Sequence, residues 1–307
     1  MTSTSTKLTL IKVRIIIMLQ MRLIDFTHDE SFPFFIQYGE HEGELYMHTH
    51  QNFSELVIVT EGSAEHIVDN ESYHIRKGDV FVISHDTAHG FSHAKNFRLC
   101  NIMFRPSFWQ NMDFDIVKTA GFQALFVLEP QYSRQNHFCS RLKLSVEEYV
   151  KIIEICDLMH SEYTSKNEGW KTMFLSGLLR LTSELSRLYS FEHLHSSDSM
   201  LNLAKAIAYV ETNFADDISL KYLAKLSNYS ERQFIRVFKQ IYNCKPTEYI
   251  RKLRVRNSCR LLKSSSASVT DIALKSGFTD SNYFSRVFRN EMGITPSEYR
   301  NSQTVEI

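Results

Sequence analysis

The sequence predicts two domains of different class: an all-β barrel that carries a helical hairpin, and an all-α domain of two helix-turn-helix motifs joined by a linker helix. Three observations predict it. Short β-branched and aromatic runs broken by turn signals fill residues 26 to 105, helical periodicity takes over near residue 143, and the last hundred residues contain a duplication. With 307 residues the chain is long enough for each domain to bury its own core.

The formal charge is zero, but it is unevenly placed. Residues 200 to 307 carry 17 Lys+Arg against 10 Asp+Glu, and residues 1 to 199 carry 18 against 25. A basic half joined to an acidic half points to one polyanion-binding domain. All 13 histidines precede residue 200, and nine fall between His28 and His93. Whatever histidine does, it does in the first half.

The five cysteines, Cys100, Cys139, Cys156, Cys244 and Cys259, are scattered and form no CxxC pair. Reduced thiols in a cytoplasm are expected, not a disulfide framework or a zinc finger. The apolar segment "TLIKVRIIIMLQM" is interrupted by Lys12 and Arg14, which leaves only Ile15 to Leu19 unbroken. That is too short for a membrane span or a signal sequence. Residues 1 to 25 are read as an extension, with Met18 or Met21 as an alternative start.

Strands are expected in "ELVIVTEG", "AEHIVDNESYHI", "GDVFVIS" and "FRLCNIMF", separated by turns at Glu61-Gly62, Asp69-Asn70 and Lys77-Gly78-Asp79. A first helix follows a Ser145 cap with Glu148 three residues on, and Val146, Tyr149, Val150, Ile153 and Cys156 fall at helical spacing. A second helix, Met173 to Tyr189, aligns Phe174, Leu178, Leu181, Leu185 and Leu188. Such a pair packs on the barrel or forms a dimer seam. The serine-rich stretch from 190 to 199 reads as the linker, so the first domain spans 26–189 and the second 200–302.

Within the second domain, Ala224, Arg236, Val237, Phe238, Pro246, Glu248 and Tyr249 recur as Ala273, Arg286, Val287, Phe288, Pro296, Glu298 and Tyr299. The offset is 49 before the turn and 50 after it. Each copy has a small alanine for close helix crossing, then a residue tolerant of left-handed backbone, Asn228 or Gly277, then a hydroxyl cap, Ser230 or Thr279. With Phe234, Val237, Phe238 and Ile241 inward, Arg232, Gln233, Arg236 and Lys239 face outward. In the second copy Phe284, Val287 and Phe288 face inward, leaving Ser281, Asn282, Arg286 and Arg289 outward. These side chains suit base edges and phosphates, whereas a bare helical bundle would need no second copy of turn, cap and core. The segment between the copies is a basic amphipathic helix with Tyr249, Leu253, Val255 and Leu261 available for packing.

The stretch "SVTDIALKSGFTDSNYFSRVFRNEMGITPSEYR" resembles the signature of the AraC/XylS transcription regulators. That resemblance covers about residues 200 to 300. It implies promoter DNA as a partner, RNA polymerase as a second, and usually activation of transcription.

The histidine-rich half resembles the cupin barrel. Its first motif reads Gly43, His48, His50, Glu55 and Gly62; its second reads Gly78, then Ser84 and Asp86 in place of proline and glycine, then His89, with His93 where asparagine is common. In cupin enzymes the positions of His48, His50, Glu55 and His89 ligate a divalent metal, and two residue types of this kind suit such an ion. Three readings stand beside one another: lining of an effector pocket, a metal site inside that pocket, or polar residues satisfied within the barrel. Over nearly the whole chain the sequence also resembles, within that family, the L-rhamnose regulators, which implies a small sugar effector and a homodimer. The expected function is therefore a cytoplasmic, sugar-responsive transcription activator with no resident cofactor. A metal-dependent cupin enzyme with a DNA-binding appendage, or a repressor, are the alternatives.

Overall fold

The computed structural model describes residues 19–27, 29–68, 71–85, 87–111, 113–132, 142–192 and 199–302. The expectations about residues 1–18, the Asp69-Asn70 turn, Asp86, Cys139 and the middle of the serine-rich stretch lie outside the described residues.

One seven-stranded sheet forms the first domain. It comprises β1 (Leu19–Met21), β2 (Phe34–His50), β3 (Ser54–Val68), β4 (Glu71–Arg76), β5 (Asp79–Ile83), β6 (His89–Phe104) and β7 (Leu142–Lys143), in the order β1-β2-β6-β3-β5-β7 with β4 paired to β3. The apolar runs are strands buried on both faces. Leu56, Ile58, Val80, Val82, Cys100 and Ile102 pack outward under helices, while Val57, Val59, Phe81, Ile83, Phe97 and Leu99 fill the inside.

The expected turn at Glu61-Gly62 is instead a bulge inside β3, where the register with β6 shifts on both sides of Glu61. Gly62 has φ +67, and a Cβ there would lie 2.1 Å from the Asn96 carbonyl oxygen. Only glycine lets β6 approach that closely. The bulge also changes which residues face in: Val57 and Val59 before it, Ala64 after it. The domain begins earlier than residue 26, because β1 pairs with His48–His50 and Leu23 is buried with Phe53 and Met103.

Helix α1 (Ile24–Thr27) lies between β1 and β2, and between β6 and β7 run α2 (Ser107–Asn111), a 3-10 turn Asp115–Lys118, α3 (Ala120–Phe122), a π segment Gln123–Leu128 and α4 (Glu129–Tyr132). The hairpin is α5 (Val146–Ser165) and α6 (Trp170–Glu192). Ser145 and Glu148 form the expected reciprocal cap. The buried face of α5 is rotated from the expected one. Cys156 is buried as expected and Tyr149 and Ile153 are half-buried against the core, but Ile152, Ile155 and Met159 also go inside, whereas Val146 and Val150 are exposed. On α6 the expected stripe is buried through Leu185. Helix α6 runs on to Glu192 and the next helix starts at Ser199, so both ends of the serine-rich stretch are helical.

The second domain contains α7 (Ser199–Asn213), α8 (Leu220–Leu226), α9 (Glu231–Tyr242), α10 (Pro246–Ser264), α11 (Val269–Lys275), α12 (Ser281–Met292) and α13 (Pro296–Ser302). The repeated Pro-x-Glu has a local cause. Proline suits the first helical turn, and Glu248 and Glu298 accept from the backbone N–H of Lys245 and Thr295 at 2.8 and 2.7 Å. Asn228 and Gly277 are both left-handed, as expected. Ser230 caps α9, but Thr279 does not cap α12. Asp280 does, accepting from the N–H groups of Asn282 and Tyr283, so the extra residue of the second copy is Thr279 in the turn. Asp280→Ala should therefore cost about 1 kcal/mol in chemical denaturation, while Thr279→Ala should leave the midpoint nearly unchanged.

Candidate functional sites

The sheet brings four predicted side chains together. Register pairs His48 with His89 across β2 and β6, and His50 lies two residues along the same face. Glu55 stands on the inward face of β3. His89 Nε2 lies 3.2 Å from His50 Nε2, which in turn lies 3.4 Å from Glu55 Oε1. His48, His50 and His89 each offer a ligating atom within 4.8 Å of the others. All four are buried, between 0% and 6% exposed.

Burial sets their charge. It pushes Glu55 up to about 8 and His50 down to about 3, and holds His48 and His89 low as well, with His48 adding to the effect on His50 and both adding to that on His89. At neutral pH the cluster is thus three neutral imidazoles beside a protonated carboxyl. His48 Nδ1 donates to the Tyr46 carbonyl at 3.1 Å, which leaves its Nε2 lone pair available. The Nδ1 atoms of His50 and His89 are buried without a hydrogen-bond partner among the described residues. This donor set fits a divalent transition metal: neutral imidazole is the ligating form, and a cation would hold Glu55 ionised.

His66 also belongs to this group, a residue the sequence reading passed over. Its buried ring is 5.8 Å from His89 and stacks on Phe81 at 4.8 Å. Two cavities, of about 440 and 380 Å³, lie elsewhere, between the connecting helices and the second domain. Both touch Trp109, Val117, Glu211 and Arg256.

In the second domain, Phe234, Phe238 and Ile241 of α9 and Phe284, Val287 and Phe288 of α12 are buried as expected, while Val237 is half-buried. Arg232, Gln233, Arg236 and Lys239 are exposed on α9; Asn282, Arg286 and Arg289 are exposed on α12, with Ser281 half-buried. Gln233 has a second task, since its amide oxygen accepts from the Ser230 N–H and hydroxyl. The two helices thus present rows of donors, with a basic connector between them.

Contacts tie the two domains. Helix α7 packs on the segment 115–128, Arg260 on α10 pairs with Asp113 at 2.9 Å, and the Tyr242 hydroxyl donates to Gln123 Oε1 at 3.4 Å.

Comparison with known proteins agrees with both halves. A helix-turn-helix domain family matches residues 223–302, and a cupin domain family matches residues 34–103. The transcriptional activator RhaS of Escherichia coli O6:H1 is 32% identical over 254 residues, which is 82% of this chain and 86% of RhaS. Among solved structures, an AraC-type transcriptional regulator from Chromobacterium violaceum is 32% identical over 36% of this chain and 97% of its own, with a TM-score of 0.33. The DNA-binding domain of AdpA, solved with a target DNA, is 28% identical over 33% and 91%, with a TM-score of 0.32. No described helix is long and apolar enough to cross a membrane. Two helix-turn-helix motifs on one connector, a cupin sheet before them and 32% identity to an activator over 82% of the chain together define the chain: it belongs to the AraC/XylS family of DNA-binding transcription regulators with an amino-terminal cupin domain.

Proposed function

We propose that this regulator is a sugar-responsive activator of carbohydrate-utilisation genes in the cytoplasm. It recognises promoter DNA through α9 and α12, contacts RNA polymerase, and senses its effector in the cupin domain. The observation that carries the reading is the pairing of exposed donor rows on two helices with a buried imidazole and carboxyl cluster in the same chain. Similarity to the activator RhaS supports activation over repression, and the resemblance to the L-rhamnose regulators makes that sugar the first to test.

On α9, Arg232, Arg236 and Lys239 meet bases or phosphates, as do Asn282, Arg286 and Arg289 on α12. Gln233 and Ser281 sit at the helix starts, nearest the groove floor. His48, His50, Glu55 and His89 form the sensing site. A divalent ion held by these residues would act as a Lewis acid toward sugar hydroxyls. The ligand shifts the population between arrangements of the domains through the contacts of segment 115–128 with α7 and α9.

A homodimer is the proposed assembly, through the outer side of α5. Val146, Val150 and Leu158 are 81%, 51% and 65% exposed there, interleaved with the exposed carboxylates Glu147, Glu154 and Asp157. Val150→Glu should convert dimer to monomer in sedimentation velocity with an unchanged circular dichroism spectrum.

Replacing Arg236 or Arg286 with alanine should weaken operator binding by about 1–3 kcal/mol where the side chain makes a bidentate guanine contact. Electrophoretic titration on a selected operator measures it, and wild-type affinity in both variants would refute the face assignment. Thermal shift of the full chain, with L-rhamnose and other sugars and with or without chelator, tests the sensing site. Addition of Zn2+ or Ni2+ should raise the midpoint of the wild type and leave His50→Ala unmoved. A chelator-insensitive sugar shift that His50→Ala abolishes would retain the pocket and discard the metal.

A further inference from the structure

We propose that Tyr283 is a positioning residue for Arg286, and that base discrimination by the second helix-turn-helix motif depends on this pair. The proposal rests on the reading faces assigned above. It comes from a difference in how the two repeated helices are capped.

The offset of 50 sets Gln233 opposite Tyr283 and Arg236 opposite Arg286. In α9 the cap is a serine, which satisfies one backbone donor of the first turn, and the reciprocal box requires Gln233 to complete it. Gln233 accordingly turns back toward the helix start, its amide oxygen 3.1 Å from the Ser230 nitrogen and 2.9 Å from the hydroxyl. Nothing on that face then supports Arg236, which makes no hydrogen bond or ion pair among the described residues.

In α12 the cap is Asp280, whose two carboxylate oxygens accept from the Asn282 and Tyr283 N–H groups at 3.0 and 2.9 Å. Both N–H groups are bonded by the Asp280 side chain itself, and the side chain at 283 takes no part in the cap. An aromatic ring occupies that position. It leans edge-on against buried Phe278, with centroids 6.1 Å apart, and the Arg286 guanidinium lies over it at 5.6 Å. Residues three apart on a helix are neighbours, which is what brings the two together.

The chemistry of the contact suits recognition. A ring face attracts the cation without using its N–H groups, so the planar donor fork stays free for the O6 and N7 atoms of guanine. No described carboxylate pairs with Arg286, which leaves its charge for the nucleic acid. Tyr283 is 42% exposed, so the supporting ring reaches the surface with its arginine. Arg286 is thus pre-organised for a base edge, whereas Arg236 is free to swing and better suited to phosphate.

The test is selection of binding sites from a randomised duplex library by the full-length chain, as wild type, Arg286→Ala, Tyr283→Ala and Tyr283→Phe. The position whose preference disappears in Arg286→Ala marks the base that Arg286 reads. At that position Tyr283→Ala should reduce base preference about three-fold, with other positions and the thermal midpoint unchanged. Tyr283→Phe, which keeps the ring, should retain the wild-type preference. Wild-type preference in Tyr283→Ala overturns the proposal, as does equal loss in the alanine and phenylalanine variants, which would assign the effect to the hydroxyl. A set of preferences that Arg286→Ala leaves intact at every position overturns the reading face itself, and the pair with it.

Discussion

A single continuous apolar core runs from the sheet into the first helix-turn-helix motif, and the arrangement of the chain depends on it. Leu56, Ile58 and Phe104 of the sheet, Phe122, Leu125 and Leu128 of the connecting segment, Leu203, Ile207 and Val210 of α7, and Phe234, Phe238 and Ile241 of α9 belong to one buried cluster. The second motif has its own: Ile272, Phe278, Phe284 and Phe288, with Val255 from the connector. Helix α10 spans the two, since Leu253 packs in the first and Val255 in the second. Exposed polar ties such as Asp113 to Arg260 contribute about 1 kcal/mol at most, so apolar burial sets the docking. A displacement of the connecting segment would reach α9 directly and α12 only through α10.

Inside the sheet the governing constraint is charge neutrality. Three imidazoles and a carboxyl are buried together with no opposing ion among the described residues, and each adopts its uncharged form. Such a cluster carries a free-energy cost that hydrophobic side chains of equal volume would avoid. Polar groups retained at that cost are well suited to exchange a proton for a cation, or a mutual contact for a ligand hydroxyl. Aromatic side chains stack on two of the imidazoles, Phe53 on His50 and Phe81 on His66.

Much of this was legible in the sequence. The duplicated core, the left-handed turn residues and the inward stripe of α6 follow from spacing alone, because each repeats a local rule. What spacing could not show were three changes of phase. Gly62 inserts a bulge that moves the inward face of β3 from odd to even positions, so His66 faces in beside the cluster although it lies outside the motif that carries Glu55. On α5 the spacing of Val146, Tyr149, Val150, Ile153 and Cys156 suggested one face, but the core takes Ile152, Ile155 and Met159 with Cys156 and leaves the two valines outside. Thr279 carried the right hydroxyl, yet the adjoining carboxylate of Asp280 satisfies two donors where the hydroxyl satisfies one.

The last of these changes shows how a duplication can diverge without losing its fold. Both copies keep the alanine crossing, the left-handed turn and the proline-led helix, so the scaffold places two equivalent faces. The serine cap of α9 is completed by the side chain at 233, whereas the aspartate cap of α12 bonds two backbone N–H groups itself and draws nothing from the side chain at 283. Position 233 remains committed to its helix start, and position 283 does not. The motif that shares its core with the cupin domain keeps the residue that completes its own cap, while the motif with an independent core has a ring beside its arginine. Under the proposed function this divides coupling from reading: the first copy shares its core with α7 and the sheet, and the second, carried on α10, has its own core and its own cap.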